Sequence, residues 1–295
     1  MGKMWEEEIE TINVENTFGY EIKFYPNVEY VKKNDQALYL QIIVPKPFGQ
    51  DEEQFRRPLI VFVQGSGWRK QPIYFNLPKM IRMCQKGYTV AIVEYRSSDI
   101  APFPAQIKDV KDAIRFMKKH AHTYDVDVDR IALWGDSSGG HTAVMAGITG
   151  ERELQGEENK EISSEVNCII DWFGPVNIIE MVKESGNPYY DEPNSPLGDF
   201  IGHKKISENT ETAQKTNILK YIHEEYKIPP MLIMHGDKDQ IVPFTQSLKL
   251  YKKMKEKNKD VRFICVKNAG HGNGGFSNEK ILQIVDQFIR EKFQI

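Results

Sequence analysis

Short apolar runs rich in Val, Ile and Leu recur along this chain, most of them ending in small residues or a loop. They are PLIVFV (58–63), KGYTVAIVEYR (86–96), RIALWG (130–135), VNCIIDWFGP (166–175), MLIMHG (231–236) and VRFICV (261–266). A strand that is apolar at nearly every position, without the in-out alternation of a half-exposed one, must be covered on both faces. Between and after these runs lie segments of helical period. FPAQIKDVKDAIRFMKKHAHTYDVD carries Ile107, Val110, Ala113, Ile114 and Met117 at helix spacing, and TQSLKLYKKMKEK and EKILQIVDQFIREKF read likewise. Strand–helix alternation of this kind predicts an α/β fold, a mostly parallel central sheet with helices on both faces.

Two stretches sit outside that rhythm. TFGYEIKFYPNVEYVKK and QALYLQIIVPKP alternate like antiparallel strands and suit the edge of the sheet, with the polar FGQDEEQFRR after them. Residues 176–226, with SGNPYYDEPNSPLGDFIGHKK inside them, are rich in Pro, Gly and aromatics and predict an insertion that partly caps the C-terminal ends of the strands. The chain is otherwise expected to be one domain over its 295 residues.

Composition narrows the function classes. An apolar fraction of 40%, a charged fraction of 27% and a net charge of −3 with no basic stripe exclude a nucleic-acid or anionic-membrane partner. No apolar run reaches membrane-spanning length. The start, MGKMWEEEIE, has no apolar signal core, and Glu6 stands where a myristoylation signal needs Ser or Thr, so a cytoplasmic location is expected. Cys84, Cys168 and Cys265, far apart and without CxxC spacing, read as buried reduced thiols. No EF-hand loop, HExxH, P-loop or dinucleotide fingerprint is present, so neither metal nor organic cofactor is called for.

The chemistry concentrates where the third run turns into a helix: RIALWGDSSGGHTAVMAG. Gly135-Asp136-Ser137-Ser138-Gly139 matches GxSxG, in which glycines relieve the crowding around a serine held on a sharp strand-to-helix turn. A nucleophilic serine needs a base and the base an orienting carboxylate, here in the chain order Ser, Asp, His. His271, in the loop NAGHGNGG after the last strand, is the histidine beyond an acidic loop. His120, His122, His203 and His223 lie on a polar helix or in the insertion, His141 inside the helix after Ser137, and His235 reads equally as a structural histidine. Of the two candidate acids, Asp239 has loop enough to reach the histidine, with Asp237 as the turn-stabilising alternative. Oxyanion donors are expected from the backbone of Ser66 and Gly67, in FVQGSGW, and of Ser138.

With these residues in place the chain resembles α/β-hydrolases of the carboxylesterase type, near hormone-sensitive-lipase-like and acetyl-xylan or feruloyl esterase-like proteins. The likeness runs over residues 28–290: QGSGW stands where those proteins have His-Gly-Gly-Gly-Trp, followed by VEYRSSDIAPFPAQIKDVKDAIRF, DVDRIALWGDSSGGH, HGDKDQIVP and AGHGNGGF. It implies Ser137 as nucleophile, Asp239 as orienting acid, His271 as general base, and a short-acyl ester, such as an acetylated carbohydrate, as substrate. Gln64 and Ser66 depart from the pattern, so the loop's internal hydrogen bonds must differ from the family's. Trp68, Trp172 and Tyr189 are candidate pocket aromatics, with core packing as the competing reading; Arg96 and Asp109 match positions that are mostly structural. An arylformamidase-like amidase is the enzymatic rival, and a non-catalytic binding protein on the same scaffold the rival from another class. The expected partner is a small-molecule ester; a homo-oligomer is left open.

Overall fold

Eight strands form one sheet in the order β1-β2-β4-β3-β5-β6-β7-β8. They are β1 (Tyr20–Lys33), β2 (Gln36–Pro47), β3 (Arg57–Val63), β4 (Thr89–Val93), β5 (Val126–Asp136), β6 (Cys168–Trp172), β7 (Met231–Gly236) and β8 (Val261–Val266). β3 to β8 run parallel, while β1 pairs antiparallel with β2 and β2 with β4 (Leu40 opposite Val93), so the two alternating strands occupy one edge as expected. The computed structural model describes residues 20–47 and 56–295. The acidic start, the first residues of the leading strand segment and most of FGQDEEQFRR lie outside the described residues.

The uninterrupted apolar runs are explained by the two cores they serve. Along β3, Leu59, Val61 and Val63 point into one cluster and Ile60 and Phe62 into the other; along β5, Ile131 and Leu133 part from Ala132 and Trp134 in the same way. The first core is closed by α2 (Ala105–Lys119), α3 (Ser138–Thr149) and α7 (Phe244–Glu256). The second is closed by α1 (Leu77–Cys84) and α8 (Glu279–Phe293). The side chains that read as helical in the sequence, Ile107, Val110, Ala113, Ile114 and Met117, are all buried in the first core. α1 has no counterpart in the sequence reading. It is two turns long and opens on Leu77-Pro78, too short for a period to be recognised. Cys84 and Cys168 are buried, but Cys265 is exposed, a correction to the reading of three buried thiols. It lies on β8, the last strand of the sheet, which has no neighbouring strand on its outer side among the described residues.

Residues 176–226 fold as α4 (Ile178–Ser185), α5 (Pro196–Phe200), α6 (Thr210–Gln214) and two 3₁₀ turns, Pro188–Asp191 and Ile218–Tyr221. Ile178, Met181, Leu197, Phe200, Ile201, Ile206 and Ala213 close a third, smaller core around Trp68 and Val242. This third core couples the insertion to the loop that follows β3.

The crossing of β5 and α3 is backbone against backbone. A Cβ on Gly135 would land on the carbonyl oxygen of Gly139, and one on Gly139 would land on that of Val63. Gly135→Ala is therefore expected to lower the unfolding free energy by about 3 kcal/mol or more, since the obstacle is main chain that cannot step aside. Urea denaturation followed by tryptophan fluorescence measures it.

Candidate active site

Ser137 stands between the end of β5 and the start of α3 with φ 53° and ψ −129°, a conformation that costs a non-glycine residue energy. Its backbone is fixed from both sides: its N–H donates to the Trp172 carbonyl at 2.8 Å, and its own carbonyl accepts from the His141 N–H at 3.1 Å. Its hydroxyl lies 2.8 Å from His271 Nε2, and His271 Nδ1 lies 2.8 Å from Asp239 Oδ2. Asp239 accepts at Nδ1, so Nδ1 carries the hydrogen and Nε2 is left to accept from the Ser137 hydroxyl. The edge of the Phe173 ring, 4.7 Å between centroids, braces the imidazole from the side.

Asp239 reaches His271 while Asp237 does not. Asp237 accepts from the Asn268 N–H at 2.6 Å and pairs with Lys267 at 3.1 Å, so it ties the loop after β7 to the turn after β8. Asp239 is held by four donors. Oδ1 takes the N–H groups of Ile241 and Val242, each at 2.9 Å, and Oδ2 takes His271 and, at 3.2 Å, His235 Nε2. Burial pushes this carboxyl up, but the hydrogen bonds from the two histidines and the backbone outweigh it, and its pKa is held well below the usual carboxylate range. His235 is fully buried. Its Nε2 faces the Val242 carbonyl at 3.0 Å as well as Asp239, so it must carry a hydrogen, and Nδ1 meets the Ser247 hydroxyl at 2.7 Å. The sequence left His235 as a structural histidine; its pairing with Asp239 across four residues, in the string HGDKD, was the available signal.

The loop after β3 runs alongside Ser137, and the departures at Gln64 and Ser66 show how it is held. Gln64 donates to the Pro72 carbonyl at 3.0 Å and accepts from Asn76 at 3.0 Å. The Ser66 hydroxyl donates to the Arg69 carbonyl, and Tyr95, buried beneath the loop, donates to the Gln64 carbonyl at 2.9 Å. Asp136 Oδ1 takes the Gly65 N–H at 2.7 Å. Of the three expected oxyanion donors, the N–H groups of Gly67 and Ser138 make no hydrogen bond within the described residues. The Ser66 N–H is differently placed, donating to Ser138 Oγ at 2.9 Å. That is a correction: the side chain of the residue after Ser137 occupies the donor that Ser66 was expected to offer.

A cavity of about 550 Å³ opens over Ser137 and His271, lined also by Gly67, Ser138 and, from the insertion, Met181, Tyr190 and Leu197. Trp68 and Trp172 both line it yet are almost wholly buried: Trp68 stacks on Phe200 with centroids 4.1 Å apart, and Trp172 packs edge-on against Trp134. They are wall and core at once. Tyr189 is not part of the wall, again a correction; it is 43% exposed and its hydroxyl donates to the Asn194 carbonyl. Neighbouring side chains in a 3₁₀ turn diverge by a third of a turn, so Tyr190 faces the cavity instead. Among the described residues no cluster of side chains is arranged to hold a metal ion, and no helix is long and apolar enough to cross a membrane.

The BD-FAE family model matches residues 40–254. The chain belongs to the BD-FAE family. In sequence this BD-FAE protein is similar to Esterase LipQ of Mycobacterium tuberculosis, 27% identical over 197 residues, which is 65% of this chain and 44% of that protein. It is also similar to Esterase LipC of the same organism, 22% identical over 218 residues, 73% of this chain and 53% of that one. The chain thus spans about half the length of these curated relatives. Among solved structures it resembles a truncated form of a carbohydrate esterase from gut microbiota, with TM-score 0.81 and 26% identity, covering 96% of this chain and 99% of that one. It also resembles the bifunctional GH43-CE of Bacteroides eggerthii, with TM-score 0.79 and 28% identity, over 91% of this chain and 38% of that one. The fold is that of the carboxylesterase-type α/β-hydrolases, as the sequence resemblance implied.

In this BD-FAE protein His235 joins Asp239, Val242 and Ser247, and a leucine there leaves each of the three short of a partner. His235→Leu is expected to cost about 2–3 kcal/mol of stability for the stranded buried groups, and His235→Gln, which keeps a donor, to cost less. Chemical denaturation of the two variants beside the parent decides it.

Proposed function

We propose that the protein is a serine carboxylesterase that hydrolyses short-acyl esters of small alcohols, acetylated carbohydrates among them, with residues 176–226 as a partial cap over its site. The observation that carries the reading is the hydrogen-bonded chain Ser137–His271–Asp239, 2.8 Å at each link, on a strained turn beside two backbone N–H groups that have no partner among the described residues. The likeness to esterases in sequence, and to carbohydrate esterases in structure, supports the same reading.

In this mechanism the Ser137 oxygen attacks the ester carbonyl carbon while His271 Nε2 takes its proton. The negative charge that develops on the carbonyl oxygen is held by the Gly67 and Ser138 N–H groups, reinforced by the positive end of α3. Collapse of the tetrahedral species breaks the bond to the alcohol oxygen, which leaves with the proton from His271. Water then repeats the cycle on the acyl-enzyme: His271 takes one of its protons, the hydroxyl adds to the acyl carbon, and the carboxylic acid departs as Ser137 regains its hydrogen. Asp239 keeps the imidazole in the tautomer that can accept from serine and stabilises the imidazolium that forms.

The test is hydrolysis of p-nitrophenyl esters from acetate to octanoate by the parent, Ser137→Ala and Asp239→Asn. The expected result is preference for the shortest acyl groups, loss of activity to background in Ser137→Ala, and a fall in kcat of about 10³–10⁴ in Asp239→Asn. A parent protein as inert as Ser137→Ala on every ester, and unlabelled by a fluorophosphonate, would reject the esterase. Activity on aryl formamides alone would favour the amidase, and activity on neither substrate the binding protein.

A further inference from the structure

Among the described residues Lys79 is the one lysine or arginine in the cavity wall, and nothing in the mechanism uses it. It projects from the first turn of α1, with Nζ held over the rings of Trp172 at 4.7 Å, Phe62 at 4.8 Å and Trp134 at 5.9 Å. Its side chain is 10% exposed, and its nearest carboxylate oxygen, Asp136 Oδ2, is 3.9 Å away, beyond hydrogen-bond reach. No hydrogen bond to its three N–H donors is made within the described residues. Asp136 is in the complementary position: Oδ1 is occupied by the Gly65 N–H, while among the described residues Oδ2 has only Lys79 at that distance. Both residues line the cavity that holds Ser137.

Lys79 Nζ and Asp136 Oδ2, on partly buried side chains, face one space 3.9 Å apart with no hydrogen bond between them, so a polar group entering the cavity can bridge them. Their separation selects what fits between them. One oxygen placed about 2.8 Å from each atom can accept from Nζ and donate to Oδ2. A hydroxyl does both. A carboxylate or phosphate can only accept, and it would lie within a few ångströms of the Asp136 charge with no donor to offer it. Burial also pulls the Lys79 amine down from its ordinary value, against the attraction of Asp136, so the ammonium is poorly solvated where it stands. Phe75, two residues before α1, lines the same cavity and is 77% exposed, a flat apolar ring that the fold does not cover. Asn76 lies between it and α1 on the same wall. The insertion's contribution, Met181, Pro196 and Leu197 together with the ring of Tyr190, is mostly apolar by contrast and suits a short acyl chain.

We propose that Lys79 and Asp136 form a subsite that binds a hydroxyl group of a neutral sugar, the alcohol part of the ester, with Phe75 as the surface against which the sugar ring lies. The proposal rests on the esterase reading above and adds which residues select the alcohol.

The experiment compares the parent with Lys79→Met, which keeps the buried stem, and Lys79→Gln, which restores a donor. Substrates are p-nitrophenyl acetate, the mono-acetates of methyl xyloside, galactoside and glucoside, and the acetate of methyl glucuronoside. In Lys79→Met the loss of kcat/KM on the best sugar acetate should exceed the loss on p-nitrophenyl acetate about tenfold, chiefly through KM, with partial recovery in Lys79→Gln. Equal losses on both kinds of substrate would make Lys79 a structural residue. Overturning results also include no loss on the sugar ester, a parent that cleaves p-nitrophenyl acetate but none of the sugar acetates, and a preference for the glucuronoside that Lys79→Met abolishes. If the parent cleaves no ester at all, the esterase reading falls by itself. The subsite is then judged by saturation-transfer NMR with the free methyl glycosides, whose signal should weaken in both Lys79 variants; an unchanged signal, or none in the parent, overturns it.

Discussion

Everything at the site depends on three glycines that let main chain pass main chain. Gly135 and Gly139 allow α3 to leave β5 so abruptly that the helix backbone rests on the Val63 carbonyl. Gly65 lets the next loop come in beside Asp136, where a Cβ would stand 2.5 Å from a carbonyl oxygen and 2.7 Å from the Ser137 Cβ. Only with that clearance can Ser137 sit half-buried at φ 53° in the wall of the cavity that Gly67 and Ser138 also line. Holding a non-glycine residue there costs on the order of 1–3 kcal/mol. The bond from the Ser137 N–H to Trp172 on β6, and the one from His141 to the Ser137 carbonyl, keep the turn from relaxing. The strain is thus held between β6 and α3.

Two aspartates that both meet a burial cost end at opposite extremes. Asp171, on β6, has one close donor, the Gly174 N–H at 3.0 Å, and burial pushes it up to about 6. Asp239 meets a burial cost too, yet four donors crowd its two oxygens and its pKa is drawn far down. Asp171 is the more deeply buried of the two, and Asp239 has more hydrogen bonds to its charged form and His271 facing it. A carboxylate with a depressed folded-state pKa contributes stability that is present above its unfolded value and lost as pH falls through the folded one. The Asp239–His271 pairing is therefore kept at neutral and mildly acidic pH, and its carboxylate charge fails only in strong acid.

The parallel sheet, its antiparallel edge and the helices after Ser137 and at the C-terminus were legible because strands buried on both faces leave long apolar words, and helices leave a period. Ser137, Asp239 and His271 were legible as an order of residues at strand ends. What escaped the sequence lies in contacts that no local pattern encodes. The Ser66 N–H is diverted by a side chain 72 residues away. Tyr190 rather than Tyr189 faces the cavity because of a single 3₁₀ turn. Lys79 sits on a helix too short to show a period, and the three rings that hold it come from β3, β5 and β6. Cys265 looked buried because the run VRFICV is apolar, but it lies exposed on β8, the edge strand of the sheet among the described residues.

The insertion and the loop after β3 form one packed unit, and the terms joining them are unequal. Arg69 Nε donates to Asp199 at 2.7 Å, but Arg69 is 39% exposed, so solvent screens the pair and its worth is small. Trp68 stacked flat on Phe200, inside a core that also takes in Ile178, Met181 and Leu197, removes large apolar surface from water and dominates. Pro196 lies directly over Gly67, within 3.0 Å of where a Cβ would be. The segment that shapes the apolar wall thus also packs against Gly67, whose N–H is one of the two proposed donors. A change in the insertion that moves Phe200 or Pro196 must shift both the space for the acyl group and the position of the Gly67 donor. Substrate fit and stabilisation of the oxyanion are in that sense one mechanical property of this fold.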